Sequence, residues 1–285
     1  MSEVRQRWRL VFARGEEARY LSHLDAVRLW ERAFRRGEIP VARSEGFSPR
    51  PKLIFAAPLQ LGMLAEHELA DLFLSERLTA PEIRDRLAAG MPRGYAVVDL
   101  HDVWIGEPAL APQLAAADYR LTLLNVEEAR LETAAGRLLA AERLPRERRK
   151  EARTIPYDLR PLLLDLRAGP ADPQALPPDA DPAQAAGLWM RLRHSQDRGS
   201  GRVEEVVAAL AGELGLRIEV GGGDEEEAAA VDSIEEPGMP ARAPDTTGPE
   251  SAGAPLEVVR PVRERLWLAT ELEPAGTPDR AAQAV

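Results

Sequence analysis

The 285-residue chain contains no cysteine. Disulfides, cysteine-ligated zinc and an iron–sulfur cluster held by this chain are thereby excluded. Histidine is scarce: His23, His67, His101 and His194 are scattered without ligand spacing, so no metal is expected. No apolar run approaches the ~20 residues of a membrane-spanning helix. The opening MSEVRQRWRL is charged and lacks a signal-peptide core, so the expectation is a cytoplasmic protein without a membrane partner. Gly-x-Ser-x-Gly, His-Glu-x-x-His and dinucleotide-type glycine fingerprints are also missing. The common ready-made enzymes are left without support, and no cofactor is expected.

What is present is charge, unevenly spread. The formal net charge is -10, which argues against a generic nucleic-acid binder. Yet residues 1–60 hold twelve Arg and Lys against seven Asp and Glu, a balance of +5. Residues 221–255 hold nine acids against one arginine, a balance of −8. That second stretch is rich in Gly and Pro with almost no large apolar residues, so it is expected to be disordered.

The periodicities give an order of elements. Residues 8–13 read as a strand and 22–37 as a helix. Residues 39–43 and 52–57 form strand pieces, 66–75 a strand, 79–89 a helix and 95–104 a strand. This βαββαβ order is that of a ferredoxin-like domain. It recurs with a strand at 119–124, a helix at 126–143, strand pieces at 155–157 and 162–167, a strand at 187–194 and a helix at 202–214. A last strand begins at 216–220 or leads towards 266–269. The expected fold is α+β, with tandem ferredoxin-like domains at 1–106 and 118–220 and a linker at 107–117. An acidic disordered segment follows at 221–255, then a returning edge strand at 256–272 and a tail at 273–285. Residues 169–182, with five prolines, read as a surface loop.

The first helix and the loop after it carry the unusual chemistry. Ser22 is a helix N-cap, with Asp25 three residues on complementing the positive helix end. Leu24, Val27, Trp30 and Phe34 are spaced as one buried stripe, and Arg28, Arg32, Arg35 and Arg36 fall on the other side before Gly37 ends the helix. Gly46 permits unusual backbone geometry in the following loop, while Pro49 and Pro51 stiffen it. Arg43, Arg50 and Lys52 are expected to converge with the arginine face on phosphates, with Phe47 as a stacking surface. The bland reading is a solvated face paired with Glu31 and Glu38. His23 suits acid–base work at neutral pH, or serves as a structural helper. Arg198 and Arg202 flank Gly199-Ser200-Gly201 ahead of a helix, which reads as an anion site or a simple turn; the Lys-Ser/Thr ending of a nucleotide loop is missing. The basic run at 143–153 is a solvated connection or a third part of the footprint, and Asp158 with Arg160 reads as a structural ion pair.

The run RYLSHLD at 19–25, W-E-R-A-x-R-R at 30–36, P-V-A-x-S-E-G-F-x-P-R-P-K at 40–52 and P-L-x-L-G at 58–62 resemble the radical SAM-linked protein family. Weaker matches are Asp158-Leu159-Arg160-Pro161, residues 199–205 and Val259-Arg260. The resemblance implies a bacterial protein of unknown biochemical function that works beside a radical SAM protein. Without cysteine this chain cannot be that enzyme, only its accessory. The expected function is therefore binding of RNA, or another phosphate-bearing substrate, for a radical SAM partner. Arg19, Tyr20, His23, Arg28, Arg32, Arg35, Phe47, Arg50, Lys52, Arg198 and Arg202 would make the contacts, with Ser22, Asp25, Gly46, Pro49 and Pro51 holding the geometry. The alternatives are a metal-independent RNA-processing enzyme using His23, or a protein–protein interaction module.

Overall fold

In strand β1 (Gln6–Arg14) the side chains alternate: Trp8, Leu10 and Phe12 enter the core while Arg7 and Arg9 meet Asp71 on the opposite face. The computed structural model describes residues 3–45, 47, 49–150, 153–195, 197–219 and 254–272. After β1 come α1 (His23–Arg36), β2 (Leu53–Phe55), β3 (Leu64–Leu74), α2 (Ala80–Gly90) and β4 (Tyr95–Val103). These strands lie side by side in the order β4-β1-β3-β2, every neighbouring pair antiparallel.

The second half runs β5 (Leu114–Leu124), α3 (Glu128–Ala140), β6 (Pro145–Lys150), β7 (Arg153–Asp158), β8 (Leu163–Pro170), β9 (Ala185–Ser195) and β10 (Gly199–Ser200). It continues through α4 (Val203–Leu214), β11 (Ile218–Glu219), β12 (Leu256–Val258) and β13 (Val262–Leu268). Its main strands lie in the order β13-β5-β9-β8, again antiparallel throughout. β13 also pairs with β3 at Val262↔Leu64 and Arg263↔Ala65, so the two halves form one 11-stranded sheet. The architecture is mixed α/β with a sheet core and four α-helices among the described residues. None of these helices is long and apolar enough to cross a membrane.

Several expectations need correction. The returning segment is not an edge strand: β13 sits inside the sheet because both β3 and β5 offer it unpaired backbone groups. The 107–117 stretch is no free linker, since β5 already begins at Leu114 and Leu110 is buried. Arg7 donates to the carbonyls of Glu107 and Pro108 at 2.5 and 2.9 Å, which fastens this connection to β1. Residues 39–43 make only the isolated bridges Val41↔Leu74 and Arg43↔Pro51. The basic run at 143–153 is not a bare connection but lies in the β6–β7 hairpin, a two-stranded sheet of its own. Gly46, residues 221–253 of the acidic stretch and the tail at 273–285 lie outside the described residues.

Ser22 caps α1 as expected, accepting from the Asp25 amide at 3.2 Å and donating to its carboxylate at 2.9 Å. The buried stripe is Ala26, Trp30, Ala33 and Phe34, whereas Leu24 is 57% exposed. Alanines line that stripe because α1 lies close against α2. A Cβ added at Gly90 would stand 2.5 Å from the Ala33 carbonyl oxygen, and one at Gly37 2.3 Å from that of Arg86. Neither backbone has room to give. Gly90→Ala should therefore destabilise the protein by about 1–3 kcal/mol. Gly136→Ala in α3, where nothing lies within 4 Å, should stabilise it by about 0.5–1 kcal/mol through better helix propensity. Urea unfolding of the two variants reads both signs; a neutral Gly90→Ala would refute the tight crossing.

Candidate functional site

Arginine does two different jobs in this fold. The first is structural. Arg14 donates to the carbonyls of Gln60 (2.6 Å) and Met63 (3.1 and 2.6 Å), and Arg19 to those of Gly62 (2.6 Å) and Val259 (3.1 Å). Together they close the turn at Gly62, whose φ of 77° favours glycine. Arg7 and Arg9 share the buried Asp71, Arg120 bridges Glu66 and Glu264, and Arg191 is bidentate on Asp118. Arg263 is also buried, bidentate on Glu68 at 2.6 and 2.5 Å and donating to the Pro58 carbonyl at 3.1 Å. Burial works to lower the Arg263 pKa, but the Glu68 carboxylate outweighs it and the net shift is upward.

The second kind is on α1. Arg32, Arg35 and Arg36 are exposed and recur at helical spacing, so they share one face. Among the described residues their guanidinium groups have neither a carboxylate nor a carbonyl partner, in contrast to the arginines above. Arg28, on the same face, is loosely held by Asp25 at 3.4 Å. In the loop after α1, Arg50 is exposed, and its backbone exchanges bonds with Ser44. Arg43 donates to the Pro49 carbonyl at 3.2 Å, and its backbone bridges to Pro51. Phe47 is fully exposed, and Tyr20 is 71% exposed with the Arg19 guanidinium 5.4 Å from its ring. Lys52 is drawn away onto the Phe73 ring at 4.3 Å. Arg19 likewise belongs to the frame and not to the open face.

His23 begins α1 at the rim of a hollow whose other walls are Phe12, Arg14, Ala26, Phe55, Ala57, Leu59, Glu68 and Tyr95. Its ring meets Phe55 edge-on at 5.5 Å. Burial raises the Tyr95 pKa, against the pull of Arg14, and burial lowers that of Arg14. The polar groups in the floor are committed: Arg14 to the Gly62 turn and Glu68 to Arg263. No group of three or more His, Cys, Asp or Glu that could hold a metal occurs among the described residues.

In the second half, Arg198 lies 3.8 Å from Asp197 in an exposed pair, and Gly199 and Ser200 fold back on β9 as a short hairpin. The segment is thus a turn: Gly201 donates to the Arg193 carbonyl at 2.9 Å, and Glu204 and Glu205 occupy the first turn of α4. Those carboxylates already complement the helix end, which disfavours a further anion there. Asp158 and Arg160 do not form an ion pair. Asp158 accepts from the backbone amides of Leu144 and Arg160, and the Arg160 guanidinium reaches the carbonyls of Leu139 and Leu163.

His194 on β9 gives a pH prediction. Burial first, and the Arg263 charge second, push its pKa down to about 4. The unfolded chain binds a proton near the ordinary value of ~6.5 that the folded protein refuses. Its contribution to stability is therefore complete above pH ~6.5 and lost as the pH falls towards 4. The urea midpoint should drop across that window, and by less in His194→Gln; equal drops would remove His194 as the cause.

Sequence reasoning missed Arg14, Glu68, Asp71, Tyr95 and Arg263. The available signal was charge inside strands that otherwise carry large apolar residues, such as Glu68 and Asp71 in LAEHELADLFL or Arg263 in VRERLWL. A buried charge needs a partner, though the pattern does not say which.

No curated protein matches the chain. Of solved structures, that of an unknown protein from Galdieria sulphuraria aligns with 74% of this chain and 94% of its own at 13% identity. Its TM-score of 0.23 carries no argument about fold or function. The profile of the family described as "Uncharacterized protein conserved in bacteria (DUF2344)" matches residues 7–197, from β1 to just past the end of β9. That span takes in the arginine face, the Gly62 turn, the hollow and the β6–β7 hairpin, and with it well over half of the chain: this protein belongs to that bacterial family.

Proposed function

We propose that the protein is an accessory of a radical SAM enzyme and holds RNA, or another phosphate-bearing substrate, on the arginine face of α1 and the loop after it. We further propose that its α+β architecture is a tandem of ferredoxin-like units. The likeness of RYLSHLD and the blocks after it to radical SAM-linked proteins supports the partnership. The shared strand order of the two halves supports the tandem. One observation carries the binding itself: Arg32, Arg35 and Arg36 stand in line, exposed and without carboxylate or carbonyl partners among the described residues, in a chain that pairs its framework arginines. Guanidinium forks suit phosphate oxygens, and the exposed rings of Tyr20, before α1, and Phe47, in the loop after it, offer stacking faces. Purification from the native cell at low salt, with bound RNA and bound proteins both identified, tests the reading. RNA of one class together with a radical SAM protein is the expected result. A preparation free of nucleic acid, with no binding of added RNA at low salt, removes the RNA part.

A second reading, metal-independent RNA cleavage with His23 as base, is favoured by the position of His23 on the hollow that Tyr95 and Arg14 also line. End-labelled RNA left intact by the wild-type protein in chelator, or cut equally by His23→Ala, disposes of it.

A further inference from the structure

The sheet of the second half turns one face to the core and the other away from it. Leu188, Met190 and Leu192 of β9 are core residues, so Trp189, Arg191 and Arg193 lie on the opposite face. Register extends that face across the neighbouring strands. Asp165, Arg191, Asp118 and Arg265 form one row from β8 to β13, and Arg167, Trp189 and Arg120 form the next. The row after that holds Gly169 opposite Gly187. Both glycines make room for the indole. A Cβ at Gly187 would stand 2.6 Å from the Trp189 ring, and one at Gly169 3.0 Å from it. The ring therefore lies down along the sheet on a bed that glycine keeps low, and it stays partly exposed.

Trp189 forms one wall of an open hollow with Asp118, Asp165, Arg167, Arg191 and Glu264. Most of those charges are committed. Asp118 is held by Arg191 and by the Trp267 indole N–H at 2.8 Å, and Glu264 by Arg120 at 2.7 Å. Asp165 and Arg167 are the exception. Their side chains are 50% and 70% exposed and form an ion pair with each other at 3.3 Å. Among the described residues, neither side chain makes a hydrogen bond. An exposed pair of this kind contributes little to stability. The hollow thus joins an aromatic wall to a carboxylate and a guanidinium that have hydrogen-bonding capacity left over.

We infer that this hollow is a base-binding site, in which an unpaired guanine of RNA stacks on Trp189 and turns its pairing edge to Asp165. The inference rests on the reading of the protein as RNA-binding and adds base recognition to the phosphate contacts of α1. The occupant follows from the chemistry of the walls. Arginines on this face are mostly paired with acids, so the surface is near neutral, which suits a base and not a run of phosphates. Any base offers a π-face to an indole. Of the four RNA bases, only guanine sets two donors side by side on its pairing edge, the N1–H and the N2 amine. They match the two acceptor oxygens of a carboxylate. Arg167, next to Asp165, donates to the neighbouring O6 of the same base.

The test uses the full-length protein with two fluorescein-labelled RNAs, ten UG repeats and the same strand with inosine for guanosine, followed by anisotropy over a series of salt concentrations. Inosine keeps the rings and the N1–H but lacks the N2 amine. Wild type should bind the guanosine strand roughly tenfold more tightly than the inosine strand. Asp165→Asn should bring that ratio close to one, with an unchanged urea midpoint because the side chain is half exposed. Trp189→Ala should bind both strands roughly tenfold more weakly with an unchanged salt slope, since stacking neutralises no phosphate. Trp189→Tyr, which keeps a ring, should recover most of that loss. The Arg32→Ala/Arg35→Ala/Arg36→Ala variant should lose affinity and slope but keep the preference for guanosine. A wild-type ratio near one, a ratio that survives Asp165→Asn, or wild-type affinity in Trp189→Ala refutes the base site; the α1 face stands if its own variant still loses slope. A ratio that Asp165→Asn abolishes, with the α1 variant unaffected, removes the α1 reading and keeps the base site. Wild-type protein that binds neither strand removes both.

Discussion

Replacing Glu68 with glutamine is expected to lower the thermal midpoint by roughly 10 °C. Removing one partner of a buried ion pair costs about 3–5 kcal/mol, because the other charge is left in a poorly solvating interior. In a protein of this size each kcal/mol moves the midpoint by roughly 2–4 °C. The Glu68 and Arg263 side chains are 3% and 4% exposed, so water does not replace the lost carboxylate. Tyr119 beside them is held protonated, its pKa raised by burial against the pull of Arg263, and supplies no negative charge in exchange. Location adds to the effect. β3 and β13 pair at only two positions, and Arg263↔Ala65 is one of them. The stray charge would therefore sit at the seam between the halves, and scanning calorimetry should show the single transition broadening or splitting in two. Glu68→Met combined with Arg263→Met should recover most of the loss, since apolar packing often replaces a buried pair without penalty. A Glu68→Gln midpoint within 2 °C of wild type would mean that the pair does not hold the seam.

The seam was the part of the fold least visible in the sequence. Element order was readable because it is local: alternation marks β1 and β9, and Thr79 with Glu82 forms a capping box that announces α2. The pairing of Glu68 with Arg263 spans 195 residues, and no pattern within either strand names the other. The α1 stripe went partly astray because periodicity weights Leu24 above Ala26 and Ala33. It is the alanines that the crossing with α2 admits, while Leu24 stays exposed in the first turn beside the exposed Tyr20. The β6–β7 hairpin was hidden for another reason. Its first strand, PRERRK, has no hydrophobic alternation, so a ribbon outside the main sheet resembles a loop. The arginine spacing on α1 was legible because it is a one-helix property, and Arg32, Arg35 and Arg36 are exposed in the structure. The sequence could not separate Arg19, which is spent on the carbonyls of Gly62 and Val259, from Arg32, which is not.

That separation underlies the last prediction. Arg32→Ala/Arg35→Ala/Arg36→Ala should weaken RNA binding by one to two orders of magnitude near 100 mM salt, on the order expected when three phosphates are left without their arginines. The log–log salt slope should fall by about 2 for single-stranded RNA, because fewer counterions are released. Stability should fall by no more than about 1 kcal/mol, the helix-end contribution of Arg35 and Arg36 in the last turn of α1. Arg120→Ala should behave in the opposite way. Its guanidinium is bonded to Glu66 and Glu264 at 2.7 Å, so its loss should cost stability and leave the salt slope alone. Arg28→Ala should fall between the two, because Asp25 already screens part of its charge. An unchanged slope in the triple variant would mean that the α1 face is solvated or docks on a protein. Charge reversal at Arg32 and Arg35 would then be expected to abolish co-purification of a protein partner that survives nuclease treatment. A reduced slope with intact stability leaves phosphate recognition as the account of why a chain with a net charge of -10 keeps three arginines in line without partners among its described residues.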